Sequence, residues 1–276
     1  MVLPLRDLNP TKRLPIITLL IIAVNVFVYF AIQPHSSMQK SDQFVYDHAV
    51  IPCELLHGHP LTVPQVALHS CSAADRAVVV DVGGVPERVP AEPVSPGKNV
   101  YLAIIVSMFL HANLLHIAGN MLFLWIFGNN VEDRLGRFRY ALFYFAAGII
   151  ATLGFTLANV GSVAPVIGAS GAIAGVMGAY LVWFPHARIL SLVVIIPIYL
   201  PAAPVLVVWF VTQFFTDPNS GVAWVAHVVG FIFGALVALA LRGSEGDVSP
   251  RFPPPPPLPP PPPLPGAWPG GLRGLE

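Results

Sequence analysis

The chain has 276 residues, of which 55% are hydrophobic and only 10% are charged. Soluble domains carry about 25% charged residues, so the composition excludes an ordinary soluble domain and predicts a membrane protein with several spans. The formal net charge is zero, without the basic excess expected of a nucleic-acid-binding protein. We therefore expect the lipid bilayer, and no nucleic acid, among its partners.

Six uncharged, apolar segments are predicted to cross the membrane, since a helical span needs roughly 20 apolar residues. The first, 15–32, follows a basic segment, 1–14, and we interpret it as a retained anchor because no small-residue cleavage site follows it. A polar insert, 33–99, separates it from a core domain, 100–241. The five predicted spans of the core domain are 113–131, 140–159, 169–185, 199–216 and 222–241. The predicted fold is therefore an all-α, six-transmembrane-helix bundle.

Lysine and arginine in short loops predict the orientation, because such loops are basic on the cytoplasmic side. If the chain has six spans, all of these basic segments fall on one side of the membrane. They are the N-terminus, the loop that contains Arg134, Arg137 and Arg139, the loop that contains Arg188, and the tail that begins with Arg242. The short loops near 160–168 and 217–221 contain no basic residue. We therefore expect a multi-pass plasma-membrane protein with both termini in the cytoplasm and the 33–99 insert outside.

The C-terminal segment, 242–276, contains the run RFPPPPPLPPPPPLPG. Such a run favours a polyproline II rod. This cytoplasmic tail could bind an SH3-like or WW-like partner, or could act only as a stiff, solvated extension.

Few polar side chains fall at membrane depth, where ionisable groups are costly and usually functional. His116, Ser170 and His227 all lie near the outer ends of predicted spans, and Asn120 shares a helix face with His116. Each residue has an alternative interpretation. Ser170 could be close-packing material between helices, His227 a buried hydrogen-bond partner or an ion-pathway residue, and His116 with Asn120 a metal or proton-relay pair.

Small residues favour a close approach of the fourth and sixth spans. Two small-xxx-small rows are present, Gly171 with Gly175 and Gly230 with Gly234. Such rows let two helix backbones approach closely, and packing them together would place His227 against Ser170. That is the nucleophile and base arrangement of covalent catalysis. No acidic residue lies nearby in either span, which predicts a dyad without an orienting carboxylate.

Donors for an oxyanion are also present. The side-chain amide of Asn120 and the ring of His116 could supply them. Ser170 begins a predicted helix, so its backbone N–H is free and the helix dipole is favourable there. Gly168 would allow a tight backbone turn just before it.

Four segments together resemble the rhomboid family of intramembrane serine proteases. They are HANLLHIAGN (His111–Asn120), GASG (Gly168–Gly171), HVVGFIFG (His227–Gly234) and the ExRxG residues Glu132, Arg134 and Gly136. The resemblance covers about residues 107–241 and the first span. The four matches occur in the expected order and topology, which makes the resemblance specific.

The resemblance implies a six-helix core around a water-filled cavity that opens to the outside. Ser170 would be the nucleophile and His227 the general base, while His116, Asn120 and the Ser170 backbone N–H would form the oxyanion hole. Glu132 and Arg134 would structure the first loop, unless they form an ordinary surface ion pair. Ala174 departs from the family, because some members carry an aromatic residue there that stacks on the histidine. Phe231 and Trp224 are the candidate replacements that lie near His227 in sequence.

The two cysteines, Cys53 and Cys71, lie in the insert with His57, His59 and His69. A disulfide is our first interpretation, because the outer side of the membrane is oxidising in many organisms. A zinc site and two free thiols are the alternatives, although no CxxC spacing supports zinc.

These features predict an intramembrane serine endopeptidase that needs no cofactor. It would hydrolyse a peptide bond in or near the transmembrane segment of another membrane protein. One alternative is a catalytically inactive relative that binds or sorts membrane clients. A transporter or channel is the other, and it predicts inverted repeats and polar residues at several depths, neither of which is evident.

Overall fold

The computed structural model describes residues 2–73, 78–82, 85–89, 91–217 and 221–242, and most of these are helical. Apolar helices form its core. They are α1 (Ile16–Phe27, continued by a π-helical turn, Val28–Ile32), α6 (Leu114–Leu135), α7 (Arg137–Ala158), α8 (Ser170–Trp183), α9 (Ala202–Gln213) and α10 (Trp224–Ala240). Within the described residues, α6 and α7 are long and apolar enough to cross a membrane, and the other four are shorter.

The boundary between α6 and α7 differs from the predicted loop. Asn113 caps the start of α6, where its side chain accepts a hydrogen bond from the His116 N–H at 2.9 Å. Gly136 alone separates α6 from α7, and its φ of +77° favours glycine. Arg134 and Arg137 therefore belong to the ends of two helices and not to a loop.

Helix α8 lies at the centre of the core. All of its residues from Ala172 to Tyr180 are buried. The backbones of α8 and α10 are in close contact. A Cβ added to Gly230 would lie only 2.2 Å from the Gly171 carbonyl oxygen, and one added to Gly234 would lie 1.8 Å from the Gly175 carbonyl oxygen. Gly178, which the sequence analysis did not single out, makes the same kind of contact with the carbonyl of Phe231. The predicted glycine rows thus face each other in the structure.

Two small sheets correct the expectation of an all-α fold. β1 (Val2–Asp7), β4 (Arg188–Val193) and β5 (Ile196–Pro201) form an antiparallel sheet in the order β1-β4-β5, and β2 (Val78–Val82) pairs with β3 (Val85–Val89). The β4–β5 segment is rich in β-branched residues, which favour strands, and it contains prolines, which disfavour a helix. Helix α9 therefore begins at Ala202, three residues after the predicted start of the fifth span.

A buried polar cluster attaches β1 to the helical core. The Asp7 carboxylate accepts hydrogen bonds from the Tyr180 hydroxyl and from the Asn130 side-chain amide, each at 2.6 Å. Asn130 in turn accepts one from the Asn9 side chain at 2.8 Å. Burial raises the pKa of the Asp7 carboxyl to about 6, although its hydrogen bonds oppose that shift. The cluster ties the N-terminal strand to α6 and α8.

Glu132 and Arg134 do not lie in a loop and do not form a surface ion pair with each other. Glu132 is in the last turn of α6, is 3% exposed, and accepts hydrogen bonds from the backbone N–H groups of Ile17 and Thr18 and from the Thr18 hydroxyl. It therefore caps the start of α1, where the backbone N–H groups have no helical partners. The Arg134 guanidinium lies 4.9 Å from the ring centre of Trp183, at the end of α8.

Replacing Glu132 with glutamine is expected to lower the free energy of unfolding by about 2 kcal/mol, because hydrogen bonds to a charged group are worth about 1.5–3 kcal/mol each and the amide keeps one acceptor oxygen. Thermal unfolding in detergent micelles measures the loss. Asp133→Asn is the matched control, since among the described residues this neighbouring carboxylate accepts one backbone hydrogen bond, from exposed Lys12. Equal losses in the two variants would contradict the capping role.

The 33–99 insert contains short elements: α2 (Met38–His48), α3 (Pro52–His57), α4 (Val63–Ala67), a 3₁₀ turn (Cys71–Ala73), β2 and β3. A disulfide joins Cys53 to Cys71. His57 Nδ1 lies 3.9 Å and 3.7 Å from the two sulfurs, but a zinc site would require free thiolates.

The insert packs against the segment that leads into α8. Ile51, Cys53 and Leu61 form a small core with Val163, and the Val166 N–H donates to the Val50 carbonyl at 2.8 Å. A buried ion pair between Lys98 and Glu54 lies beside this core, and burial lowers the pKa of Lys98. The insert thus fixes the backbone just ahead of Ser170.

Between the insert and α6 lie the short helix α5 (Ala103–Val106) and a 3₁₀ turn (Ser107–Phe109). The proline-rich part of the 242–276 tail lies outside the described residues.

Candidate active site

Ser170 and His227 meet where α8 and α10 begin. Ser170 is the first residue of α8, and His227 lies in the first turn of α10. His227 Nε2 is 2.8 Å from Ser170 Oγ, a hydrogen-bonding distance. The two residues are 57 positions apart in the chain, and the glycine contacts between the two helices bring them together. This is the arrangement that a serine nucleophile and its general base require.

The backbone before Ser170 is not helical, and Gly168 shapes it. Gly168 has a φ of +120°, a conformation that side chains disfavour, and its N–H donates to the Ser107 carbonyl at 2.9 Å. A Cβ at this position would lie 2.9 Å from two ring atoms of His116. Gly168 therefore both permits the turn into α8 and leaves room for the His116 ring.

The ring of His116 has a defined orientation. Its Nδ1 accepts a hydrogen bond from the Ala112 N–H at 3.3 Å, so in the neutral ring the proton lies on Nε2. This Nε2 and the neighbouring Cε1 are the His116 atoms that a Cβ on Gly168 would meet. His116 therefore presents a donor toward the backbone that leads into Ser170.

Asn120 lies one turn after His116 and is buried. Its side-chain Nδ2 has no hydrogen-bond partner within the described part of the chain. Buried amide donors are nearly always paired, so an unpaired one needs an explanation. A bound group that carries an acceptor oxygen would satisfy this amide.

One cavity of about 1000 Å³ connects these residues. It is lined by Ser170, His227, His116 and Asn120, and by apolar side chains that include Trp209. The structure thus brings together the four polar side chains that the sequence analysis selected at membrane depth. A cavity with apolar walls and a few convergent polar groups is typical of a ligand or substrate site.

The ring that lies against His227 is Trp209, in α9. The two ring centres are 5.9 Å apart, with an angle of 36° between the planes. The prediction that Phe231 or Trp224 holds the His227 ring is therefore wrong. Phe231 packs on Trp209, and Trp224 packs on Phe214. Trp209 occupies the role left open by the small side chain of Ala174.

Gln213, also in α9, is a polar residue beside His227 that the sequence alone did not single out. Its Oε1 lies 2.8 Å from His227 Nδ1. The available signal was a glutamine inside the uncharged stretch 189–216, where a polar side chain is costly unless it has a partner.

Comparison with known proteins gives one family. Residues 98–244 match the family model described as Rhomboid domain. Similar curated proteins include Rhomboid protein 1, mitochondrial, of Saccharomyces cerevisiae, which is 39% identical over 101 residues, 35% of this chain and 29% of that protein. Presenilin-associated rhomboid-like protein, mitochondrial, of Bos taurus is 34% identical over 98 residues, 34% of this chain and 26% of that protein.

Rhomboid protease GlpG of Yersinia pestis is 32% identical over 133 residues, which cover 47% of this chain and 44% of that protein. Each match therefore covers less than half of this chain and less than half of the relative.

Proposed function

The chain belongs to the rhomboid family, and from that premise we propose that it is an intramembrane serine endopeptidase. Its substrates would be other membrane proteins, cut in or near a transmembrane segment. The observation that carries the proposal is the 2.8 Å contact between His227 Nε2 and Ser170 Oγ at the edge of a cavity. An inactive family member that binds clients has no need of this contact.

The proposed reaction follows the chemistry of serine hydrolases. Ser170 Oγ attacks the carbonyl carbon of the scissile peptide bond, and its proton passes to His227 Nε2. The resulting imidazolium protonates the leaving amine, and an acyl-enzyme on Ser170 remains. Water then attacks the acyl carbon, and His227 takes a proton from the water. The imidazolium passes this proton to Ser170 Oγ as the bond to the acyl group breaks, which releases the carboxyl product and restores Ser170.

Three donors would stabilise the oxyanion that forms in each step. The Ser170 N–H is the first of α8 and has no hydrogen-bond partner within that helix. His116 Nε2–H and the unpaired Asn120 amide line the same cavity. Preorganised donors of this kind supply a large part of the rate enhancement in acyl transfer.

Replacing Asn120 with alanine is expected to lower kcat by about a hundredfold to a thousandfold, the range measured when one oxyanion donor is removed elsewhere. KM should change little, because the donor acts on charge that develops in the transition state. Initial rates of cleavage over a range of substrate concentrations measure both constants. Asn129→Ala, at the other end of α6, is the control and should retain its turnover; an unchanged rate in Asn120→Ala would remove Asn120 from this role.

The proposed topology has six membrane spans. Helix α8 has 14 residues, about 21 Å at 1.5 Å per residue, which is shorter than the roughly 30 Å hydrocarbon layer. Because α8 packs against the longer helices α6, α7 and α10, it would begin below the membrane surface, and Ser170 with it. Water would reach Ser170 through the cavity rather than through lipid.

The arginines at the junction of α6 and α7 favour a cytoplasmic position for that end, with the cavity on the opposite side. We propose both termini on the arginine side and the insert on the other. The plasma membrane is the location expected from the sequence. A mitochondrial membrane is the alternative, favoured by the names of the yeast and bovine relatives.

A covalent probe tests the proposed activity. The protein, purified in detergent, is incubated with a transmembrane peptide substrate, with and without a fluorophosphonate. We expect cleavage that the probe abolishes, and a single probe adduct on Ser170 by mass spectrometry. The Ser170→Ala protein is the control and should neither cleave nor carry the adduct. Client binding without cleavage or labelling, across several peptides, would favour the inactive relative.

A further inference from the structure

We propose that Gln213 is a positioning residue for the general base, in the place that a carboxylate holds in most serine hydrolase triads. The inference rests on the proposed function, and it adds a third side chain to the Ser170 and His227 pair. Gln213 is the last residue of α9, is 8% exposed, and lies against the first turn of α10. In the described part of the chain, the His227 side chain has two hydrogen-bond partners, Ser170 and Gln213.

The orientation of the Gln213 amide follows from its second contact. Its Nε2 is 3.0 Å from the backbone carbonyl oxygen of Trp209. A carbonyl oxygen only accepts hydrogen bonds, so the NH₂ group of the amide must face Trp209. The Oε1 atom then faces His227 Nδ1, at 2.8 Å.

The amide orientation in turn selects the tautomer of the imidazole. Because Gln213 Oε1 is an acceptor, the proton of the neutral ring lies on Nδ1. Nε2 then carries a lone pair, and this is the atom that lies 2.8 Å from Ser170 Oγ. The other tautomer would direct an N–H at the serine and could not remove its proton. Gln213 thus holds His227 in the form that a general base requires.

Helix α9 supplies a second restraint on the same ring. Trp209, one turn before Gln213, lies against the imidazole with its side chain and accepts from Gln213 with its backbone. Helix α9 therefore restrains the ring at its face and at Nδ1, while α8 contacts the opposite nitrogen, Nε2, through Ser170. The Gln213 amide is neutral, so it places no charge in this apolar setting, where a charge is costly. It would serve as the partner of Nδ1 in a site that has no carboxylate in α8 or α10.

Kinetics of α9 variants form the first part of the test. Gln213→Leu removes the acceptor at nearly constant size, and we expect kcat to fall by about tenfold to a hundredfold with KM unchanged, since a wrong tautomer impairs only the chemical step. Gln213→Glu keeps an acceptor oxygen at the same reach and should recover part of the loss. Thr212→Val is the control, because the exposed Thr212 hydroxyl donates to the same Trp209 carbonyl but does not contact His227. A loss in Thr212→Val equal to that in Gln213→Leu would assign the effect to damage of α9 and overturn the proposal.

Nitrogen-15 NMR of histidine-labelled protein in micelles forms the second part and does not need activity. The His227 signal is assigned by its loss in His227→Phe. We expect a proton on Nδ1 in the wild-type protein and a shift toward Nε2–H in Gln213→Leu. An unchanged Nδ1–H population in Gln213→Leu overturns the proposal whatever the turnover. If the wild-type protein cleaves nothing but the tautomer still depends on Gln213, the protease function fails and the positioning role stands.

Discussion

Replacing His227 with alanine is expected to lower the turnover of a transmembrane substrate by about a thousandfold or more, as in other serine proteases that lose their base. Without the imidazole, no other group in hydrogen-bond contact with Ser170 Oγ can take its proton, among the residues that the structure describes. His227 is only partly buried, at the edge of the cavity, so its truncation should leave the helical core intact. Initial cleavage rates, with thermal unfolding on the same samples, measure the two effects separately.

The double variant tests whether the two residues act as one unit. Side chains that share one proton transfer are strongly non-additive, so Ser170→Ala with His227→Ala should be no slower than Ser170→Ala alone. A double variant much slower than either single one would mean that the two residues act independently. Turnover in His227→Ala above a tenth of the wild-type rate would contradict the role of His227 as the base.

The sequence was most informative where packing and chemistry share the same residues. The glycine spacing on two spans indicated which helix faces would meet, and Ser170 and His227 lie on those faces. Small residues at intervals of four have one dominant use between membrane helices, which is close backbone contact. The predicted span 169–185 also agrees closely with α8, which begins one residue later and ends two residues earlier.

The surroundings of the base were not predictable in the same way. Gln213 and Trp209 come from a helix that carries no small-residue row, and their contacts with His227 depend on how α9 packs, which spacing does not encode. Hydropathy also failed to separate the β4–β5 hairpin from helix α9, because residues 189–213 are uncharged throughout and mostly apolar. The cap of α1 by Glu132 joins residues 114 positions apart, so no local pattern could indicate it.

Adding one methyl group at Gly234 is expected to lower the free energy of unfolding by about 3 kcal/mol, at the upper end of the usual cost of overpacking a well-packed core. The added Cβ would lie 1.8 Å from the Gly175 carbonyl oxygen and within 2.8 Å of its Cα. These are backbone atoms of a buried helix, so no side chain can move aside. Ordinary contact begins near 3.4 Å, and α10 must move away from α8 to reach it. Thermal unfolding of Gly234→Ala in micelles measures the cost.

The same displacement should reduce activity beyond its effect on stability. His227 lies seven residues before Gly234 on the same helix, so a shift of α10 lengthens the 2.8 Å contact with Ser170. We expect fluorophosphonate labelling of Gly234→Ala to slow by about tenfold or more at temperatures where the protein remains folded, because a base out of hydrogen-bond reach cannot activate the serine. Gly119→Ala is the stability control: a Cβ there meets nothing within 4 Å, and the change should stabilise α6 by up to about 1 kcal/mol. Gly234→Ala with wild-type unfolding and labelling rates would show that the backbone contact between α8 and α10 is not what aligns the two residues.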